Sequence, residues 1–235
     1  MADFTYNLVP ESGRVPTLGL VVLQSDETIE NEIRHWLPPT EYSIFVSRVQ
    51  NAETVTTETL AAMADHMTAS AGLFPRPAKF DAVAYCCTSA SSVIGTDKVA
   101  ELVKAGCTTN AVTNPVTALI AACNKRGLQK LAFLSPYIES VNNRLRAVIA
   151  ENGIETPVFG SFNESEDHKV AWIDHASLRS AATELAKIGD VDGVFMSCTS
   201  LKTFGLLDEL EQELNMPVLS SNFVVAEHLR DLATN

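Results

Sequence analysis

The chain has 235 residues, more than one average domain and fewer than two, so its length suits one large domain or two tightly fused lobes. Hydrophobic residues make up 46% and charged residues 20%, which is typical of globular proteins and excludes disordered or coiled-coil compositions. The 17 basic and 29 acidic residues give a net charge of −12, with no basic cluster. We therefore expect no nucleic-acid partner and no membrane partner.

Patterns missing from the sequence set the expectations about location and bound groups. No apolar run reaches the ~18 residues of a membrane helix, and the segment before Arg14 contains acidic residues, so a cytoplasmic protein is expected. The cysteines form an odd set without CxxC spacing and the histidines are scattered, so we expect free thiols and no metal site. No phosphate loop or dinucleotide fingerprint is present, so no cofactor is predicted.

Short apolar runs rich in β-branched residues recur along the chain and predict buried strands. In chain order they cover residues 18–23, 43–46, 82–85, 109–112, 131–134, 156–159, 193–196 and 217–219. Amphipathic stretches that end at a glycine predict helices among them, at residues 116–126, 139–152 and 178–188. This alternation is typical of α/β layers with mainly parallel sheets.

The chain contains an internal repeat. Residues 81–89 read DAVAYCCTS and residues 192–200 read DGVFMSCTS, at an offset of 111, so that each predicted strand is followed by Cys-Thr-Ser. TNPVTA at 113–118 recurs as SNFVVA at 221–226, at an offset of 108, and a weaker match starting at Val22 has an offset of 112. Because the offsets agree, one ancestral unit is inferred to occur twice.

The order of the repeats predicts two pseudo-symmetric α/β lobes, each a mainly parallel sheet flanked by helices. Lobe one is expected to comprise residues 1–113 plus 221–235, and lobe two residues 114–220. No low-complexity linker separates them, so the lobes should face each other across a cleft. Ligands of open α/β sheets bind beyond the carboxyl ends of the strands, which is where both Cys-Thr-Ser segments are predicted to lie.

Cys87 and Cys198 are the candidate catalytic residues. A thiol at a strand-to-helix turn feels the helix N-terminus, which favours the thiolate and makes the sulfur a base or nucleophile. Two residues follow each of these cysteines, and their N–H groups and hydroxyls can bind a carboxylate or a developing enolate. These residues are Thr88, Ser89, Thr199 and Ser200. Two opposed thiols suit cofactor-free inversion at a carbon acid, because one removes the α-proton and the other protonates the opposite face.

The other three cysteines have a simpler interpretation. Cys86 should point to the opposite side of its strand from Cys87, because side chains alternate along a strand. Cys107 and Cys123 are interpreted as small core residues. Only Cys87 and Cys198 occupy equivalent positions of the duplicated unit, which favours catalysis over packing for these two.

At these residues the chain resembles the aspartate/glutamate racemase superfamily, in the branch of maleate cis-trans isomerases and arylmalonate decarboxylase. The resemblance spans nearly the whole chain and rests on YCCTSAS at 85–91, TNP at 113–115, LSPY at 134–137 and SCTS at 197–200. It implies a cofactor-free, two-lobed enzyme with its active site between the lobes and a homodimeric or larger assembly. It also implies that Cys87 and Cys198 are catalytic and that Tyr137 helps to hold the substrate carboxylate.

The chain departs from the maleate isomerase pattern at two positions. The first loop of those enzymes usually reads Pro-Ser-Ser-Asn, with the asparagine contacting a substrate carboxylate, whereas this chain has Asp26 there. A second family asparagine falls on Asp167. Two carboxylates would repel a dianion and suit an ammonium-bearing or hydroxyl-bearing substrate. The alternative for Asp26 is a helix N-cap, and for Asp167 a solvated loop carboxylate.

The sequence thus predicts a cofactor-independent isomerase of a small carboxylic acid. Amino-acid racemase and maleate-type cis-trans isomerase remain open as alternatives. A decarboxylase of a malonate-type acid is less favoured, since arylmalonate decarboxylase has glycine where this chain has Cys87. The alternative from another class is a non-catalytic small-acid binding protein that keeps the scaffold.

Overall fold

Two parallel four-stranded sheets form the framework of the computed structural model, which describes residues 1–10 and 13–234. The first sheet, in the order β2-β1-β3-β4, consists of β1 (Thr17–Leu23), β2 (Ser43–Val49), β3 (Phe80–Cys86) and β4 (Thr109–Thr113). The second, in the order β6-β5-β7-β8, consists of β5 (Lys130–Ser135), β6 (Glu155–Ser161), β7 (Gly193–Met196) and β8 (Val218–Ser220). Both halves share one topology, which confirms the predicted duplicated α/β fold.

Helices connect the parallel strands and cover both sheets. Those of the first half are α1 (Ile29–Trp36), α2 (Thr57–Ala62), α3 (Ala64–Ala71), α4 (Thr88–Ile94) and α5 (Thr96–Gly106). Those of the second half are α6 (Pro115–Arg126), α7 (Glu139–Glu151), α8 (Asp167–Val170), α9 (His175–Ile188), α10 (Leu206–Leu214) and α11 (Ser221–Thr234). Across residues 1–10 and 13–234, no helix combines the length and apolar character needed to cross a bilayer.

Local sequence signals explain why the predicted helices begin and end close to where they were expected. At α6, the Asn114 side chain accepts two backbone N–H groups of the first turn, each at 3.1 Å, and Pro115 occupies the first helical position. Gly127 ends the helix with φ +70°, a conformation that glycine adopts without strain. The helix predicted at 116–126 therefore begins one residue early and ends as expected.

The two Cys-Thr-Ser segments lead into different local structures. Helix α4 begins directly after Cys87, whereas the chain after Cys198 makes a turn through residues 199–204 before α10. The prediction of a strand-to-helix turn is therefore wrong for Cys198. The Glu32 carboxylate on α1 accepts two backbone N–H groups of this turn, which ties the segment to the first half of the chain.

The C-terminal helix α11 returns to the first sheet. It packs against α1, α6 and β3. Its first residues come directly after β8 of the second sheet, so it connects the two halves of the molecule. The lobe boundaries at residues 113/114 and 220/221 stay predictions.

Candidate active site

One cavity brings together residues near the carboxyl ends of strands from both halves. It contains about 370 Å³ of space outside the protein atoms, part of it open to solvent. Its lining residues are Leu23, Asn51, Ala52, Thr54, Val55, Thr59, Leu60, Met63, Cys87, Ser89, Tyr137, Asp167, Cys198, Thr199 and Ser200. The position agrees with the fold, since both parallel sheets direct their carboxyl-end loops into this space. Seven of the nine predicted site residues line it.

Cys87 is the N-cap residue of α4 and is buried at the edge of the cavity. Its sulfur lies 3.6 Å from the Ser89 hydroxyl. Burial raises the pKa of the Cys87 thiol to about 11, although the backbone N–H of Ala90 and the Ser89 hydroxyl act in the opposite direction. The expected stabilisation of a thiolate at the helix N-terminus is therefore outweighed by burial, and Cys87 carries its proton at neutral pH.

Cys198 lies in an unusual backbone conformation. Its φ of +150° is rare for a residue with a side chain and is maintained by surrounding hydrogen bonds. The Cys198 N–H donates to the Ser221 hydroxyl at 3.1 Å, and the Ser200 N–H donates to the Cys198 sulfur at 3.4 Å. Burial raises the pKa of the Cys198 thiol to about 12, while hydrogen bonds from Tyr137 and Ser200 lower it.

The two thiols form one electrostatic unit. A negative charge on Cys87 raises the pKa of Cys198, because both residues line the same cavity. Ionisation of one thiol therefore disfavours ionisation of the other, and the pair titrates in coupled steps. A coupled thiolate–thiol pair is an arrangement that can take a proton at one sulfur and deliver one from the other.

Tyr137 is fixed beside Cys198 by the loop after β5. The Tyr137 carbonyl accepts hydrogen bonds from Asn142 at 2.6 Å and from Ser161 at 2.5 Å, and Asn142 also binds Ser135 at 2.5 Å. These contacts hold the loop, so the buried Tyr137 side chain faces the cavity together with Cys198 and Ser89. Burial raises the pKa of the Tyr137 hydroxyl well above its usual value, so the group stays a neutral hydrogen-bond donor.

The four predicted Thr and Ser residues are arranged differently around the cavity. Ser89, Thr199 and Ser200 line it, whereas Thr88 does not. The Thr88 hydroxyl is instead paired with the Ser221 hydroxyl at 2.8 Å, behind the cavity wall. The Thr88 hydroxyl therefore contacts the Ser221 hydroxyl, which also accepts the backbone N–H of Cys198.

The two predicted acidic residues, Asp167 and Asp26, differ in their position relative to the cavity. Asp167 lines the cavity and accepts a hydrogen bond from the Ser25 hydroxyl; burial raises its pKa. Asp26 lies behind the wall, where one carboxylate oxygen binds the N–H groups of Thr28 and Ile29 at 2.8 and 2.9 Å. The N-cap residue of α1 is Thr28, so the N-cap alternative for Asp26 is wrong, and the Asp26 carboxylate instead binds the turn that leads into the helix. Burial raises the pKa of Asp26 to about 6, although the N–H groups of Ile29 and Thr28 and the Thr199 hydroxyl act in the opposite direction.

The sequence patterns did not single out one wall of the cavity. The loop after β2 contributes Asn51, Thr54 and Val55 to the lining. Thr54 forms an antiparallel bridge with Glu166, and the Val55 N–H donates to the Ser165 carbonyl at 3.2 Å. We call these paired segments, residues 51–55 and 163–167, the interloop bridge. The position of 51–55 at the carboxyl end of a predicted strand was the one signal that could have indicated it.

The cavity offers neutral donors and acidic groups but no cation. In the part of the chain that the structure describes, its lining contains no Lys, Arg or His. Among all the residues that the structure describes, no group of three or more His, Cys, Asp or Glu side chains is placed to hold a metal ion. All five cysteines are free. A bound carboxylate would therefore be held by hydroxyl and N–H groups.

Comparison with known proteins places this chain among characterised relatives. Maleate isomerase of Geobacillus stearothermophilus is 25% identical over 218 residues, which cover 87% of this chain and 86% of that one. Arylmalonate decarboxylase of Bordetella bronchiseptica is 30% identical over 111 residues, which span 47% of this chain and 46% of that enzyme.

Solved structures share the fold. A mutant of Nocardia farcinica maleate cis-trans isomerase with a covalently bound succinylcysteine intermediate superimposes with a TM-score of 0.84 at 24% identity, over 93% of both chains. A double mutant of arylmalonate decarboxylase in a liganded form gives 0.82 at 23% identity, again over 93% of both. The profile of the arylmalonate decarboxylase family matches residues 19–231. The chain therefore belongs to the arylmalonate decarboxylase family, in the maleate isomerase and arylmalonate decarboxylase branch of the aspartate/glutamate racemase superfamily.

Proposed function

We propose that this protein is a cofactor-independent isomerase that inverts a carbon centre next to a carboxylate, with Cys87 and Cys198 as its two proton-transfer groups. The observation that carries the proposal is the pair of buried thiols, one from each repeat, on the lining of a single cavity. A decarboxylase needs only one protonating thiol. Inversion needs two, and the duplicated Cys-Thr-Ser segments are proposed to supply one to each face of the substrate.

The proposed reaction needs no reactant besides the substrate and the two cysteines. The thiolate of one cysteine takes the α-proton, and the electron pair of the C–H bond moves into an enolate. The thiol of the other cysteine then gives its proton to the opposite face and becomes the thiolate. Burial makes each thiolate more basic than a free cysteine thiolate, which brings the sulfur closer to the basicity that α-proton removal requires.

Neutral donors hold the substrate carboxylate in this proposal. Ser89, Ser200 and Tyr137 line the cavity and supply hydroxyl groups, whereas Thr199 also lines it but its hydroxyl donates to the Cys86 carbonyl at 3.3 Å. Thr88 contributes through its backbone N–H, since its hydroxyl is paired with Ser221. Such donors stabilise the enolate more strongly as charge develops on the carboxylate oxygens.

The acidic positions favour a substrate that carries an ammonium or hydroxyl group. Asp167 lies on the lining, and Asp26 adds a second carboxylate close behind it, near enough to raise the pKa of Cys87 together with Asp167. With no cation on the lining, a dianion such as maleate would meet two carboxylates and no compensating positive charge. An amino acid or a related derivative would instead place its cation beside Asp167.

Proton NMR in D₂O tests this proposal directly. The purified protein is incubated with both enantiomers of aspartate and glutamate, hydroxy acids, diaminobutyrate derivatives and maleate. We expect an α-proton signal of a cation-bearing acid to disappear as deuterium enters, at a rate that rises with pH because one thiol must ionise. Cys87→Ala and Cys198→Ala should each abolish racemisation, and Cys107→Ala, which alters a thiol outside the cavity, should leave it unchanged.

The rival function is cis-trans isomerisation, in which a thiolate adds to a double bond, the C–C bond rotates and the thiolate leaves. The full-length similarity to maleate isomerases favours this candidate. It predicts fumarate from maleate with no α-proton exchange in any acid of the panel. Normal turnover in both cysteine variants would contradict each enzymatic scheme, and binding that survives both replacements without any turnover in the native protein would indicate a binding protein.

A further inference from the structure

A second tyrosine lies next to the active-site cysteines, and the proposed reaction does not use it. Tyr85 is fully buried in β3, two residues before Cys87. Side chains two apart on a strand point to the same face, so Tyr85 and Cys87 share a face while Cys86 faces the opposite side. Tyr85 does not line the cavity and lies behind its wall.

The hydroxyl of Tyr85 has a poor hydrogen-bond acceptor. It donates to the Met63 sulfur at 3.7 Å, and Met63 lines the cavity together with Cys87. A thioether is a weak acceptor, so a buried phenol in this position gains little from the contact. A thiolate next to it would be a far stronger acceptor, because hydrogen bonds to charged groups are worth about 1.5–3 kcal/mol.

We infer that Tyr85 is a positioning residue for Cys87: its hydroxyl donates a hydrogen bond to the Cys87 sulfur when that thiol ionises. This inference rests on the proposed function for the role of the thiolate. Burial raises the pKa of the Tyr85 hydroxyl well above its usual value, and the charge of Cys87 and a hydrogen bond with it act in the same direction. Tyr137 already hydrogen-bonds the Cys198 sulfur, and Tyr85 would be the corresponding phenol for Cys87.

Alkylation of the individual cysteines tests the inference without any substrate. Native protein and Tyr85→Phe are treated with iodoacetamide between pH 7.5 and 9.5, and peptide mass spectrometry gives the rate at each cysteine. Because the alkylation rate depends on the thiolate fraction, we expect Tyr85→Phe to slow modification of Cys87 about tenfold or more, the factor that loss of one charged hydrogen bond implies. Modification of Cys198 should change less than twofold.

Two variants serve as matched controls. Tyr137→Phe removes the other phenol and should slow Cys198 in preference to Cys87. Met63→Leu removes the sulfur acceptor but keeps the Tyr85 hydroxyl, so Cys87 should react at least as fast as in the native protein. An unchanged or faster Cys87 rate in Tyr85→Phe, or equal slowing of both cysteines, would overturn the inference. If no acid in the NMR panel is turned over but Tyr85→Phe still slows alkylation of Cys87 selectively, the inference about Tyr85 stands and the proposed function fails.

Discussion

At the scale of single residues, Asp26 combines a structural and an electrostatic effect. One carboxylate oxygen accepts the N–H groups of Thr28 and Ile29 where α1 begins, while burial of the carboxylate raises its pKa from an ordinary value of 3.8 to about 6. Ionised Asp26 therefore destabilises the fold at neutral pH. Retention of a destabilising buried charge is typical of functional sites, where activity and stability conflict.

Asp26→Asn should abolish the fall in stability that the native protein shows between acidic and neutral pH. Between pH 3.8 and 6 the folded state keeps a proton that the unfolded state releases, so the free energy of unfolding falls as pH rises through this window and is then constant. The difference amounts to at most about 3 kcal/mol, from two pKa units of about 1.4 kcal/mol each. Asparagine keeps the oxygen that accepts from Thr28 and Ile29, and it cannot ionise. In urea unfolding at pH 4.5 and 7.5, the free energy of unfolding of the variant relative to that of the native protein should be higher at pH 7.5.

Asp174→Asn is the matched control for that measurement. Asp174 likewise accepts a backbone N–H at the start of a helix, since it is the N-cap residue of α9 and binds the Ser177 N–H at 2.8 Å, but it is exposed and this hydrogen bond lowers its pKa. Asp174 therefore contributes to stability with the opposite sign: its stabilising effect is present above the ordinary pKa of aspartate and is lost as pH falls. If Asp26→Asn and the native protein show parallel stability curves, the raised pKa assigned to Asp26 is wrong.

At the scale of elements, the interloop bridge closes one wall of the cavity with few contacts. The Val55 N–H donates to Ser165, the Asp167 N–H donates to Glu53 at 3.3 Å, and Thr54 pairs with Glu166. Both segments run over the surface between helices and strands, where local opening is least costly. The bridge is therefore expected to control access to Cys87 and Cys198.

Val55→Pro should open this wall, because proline has no N–H to donate to Ser165. We expect iodoacetamide to modify Cys87 and Cys198 several times faster and KM for the substrate to rise. Val55→Ala is the matched control, since it shortens the cavity-facing side chain but keeps the N–H. Cys107, which lies outside the cavity, provides an internal reference rate. Equal alkylation in the proline and alanine variants would contradict a gating role for the bridge.

The elements themselves could be predicted from sequence because their signals are local. The buried strand ending at Cys86 and the capped helix after Asn114 are each specified by neighbouring residues, and the repeat identified the two cysteines. The turn after Cys198 could not be predicted in this way. Its conformation depends on Glu32, more than 160 residues earlier, and such a contact leaves no periodic trace in the sequence. The raised pKa values of the thiols are likewise set by tertiary burial.

At the scale of the whole molecule, a few buried polar contacts fix the two thiols relative to each other. Ser221 accepts the Cys198 N–H and pairs with the Thr88 hydroxyl, so one hydroxyl links both Cys-Thr-Ser segments. The Thr28 hydroxyl donates to the Ser200 carbonyl at 3.0 Å, and the Asn222 amide donates to the Thr199 carbonyl at 3.0 Å. The first turns of α1 and α11 thus hold the loop of the second thiol against the first sheet.

Glu32 is the residue on which these contacts converge, and its replacement is the strongest test of the arrangement. The buried carboxylate accepts hydrogen bonds from the Thr203 N–H and hydroxyl at 2.5 and 3.0 Å, and from Phe204 and Asn222, each at 2.8 Å. In Glu32→Gln, an amide NH₂ replaces one acceptor and faces a donor. A buried donor left unsatisfied costs about 1–3 kcal/mol, so urea unfolding should show a loss of this size.

Turnover should fall further than stability alone explains, because the Asn222 amide that binds the Thr199 carbonyl is disturbed at the same time. Glu30→Gln is the matched control on the same helix. Its side chain pairs with Arg48 at the surface, where an ion pair is worth less than about 1 kcal/mol, and it should leave both stability and turnover nearly unchanged. The decisive measurement is the alkylation rate of Cys198 in folded Glu32→Gln. A rate equal to that of the native protein would show that the thiol is positioned independently of α1.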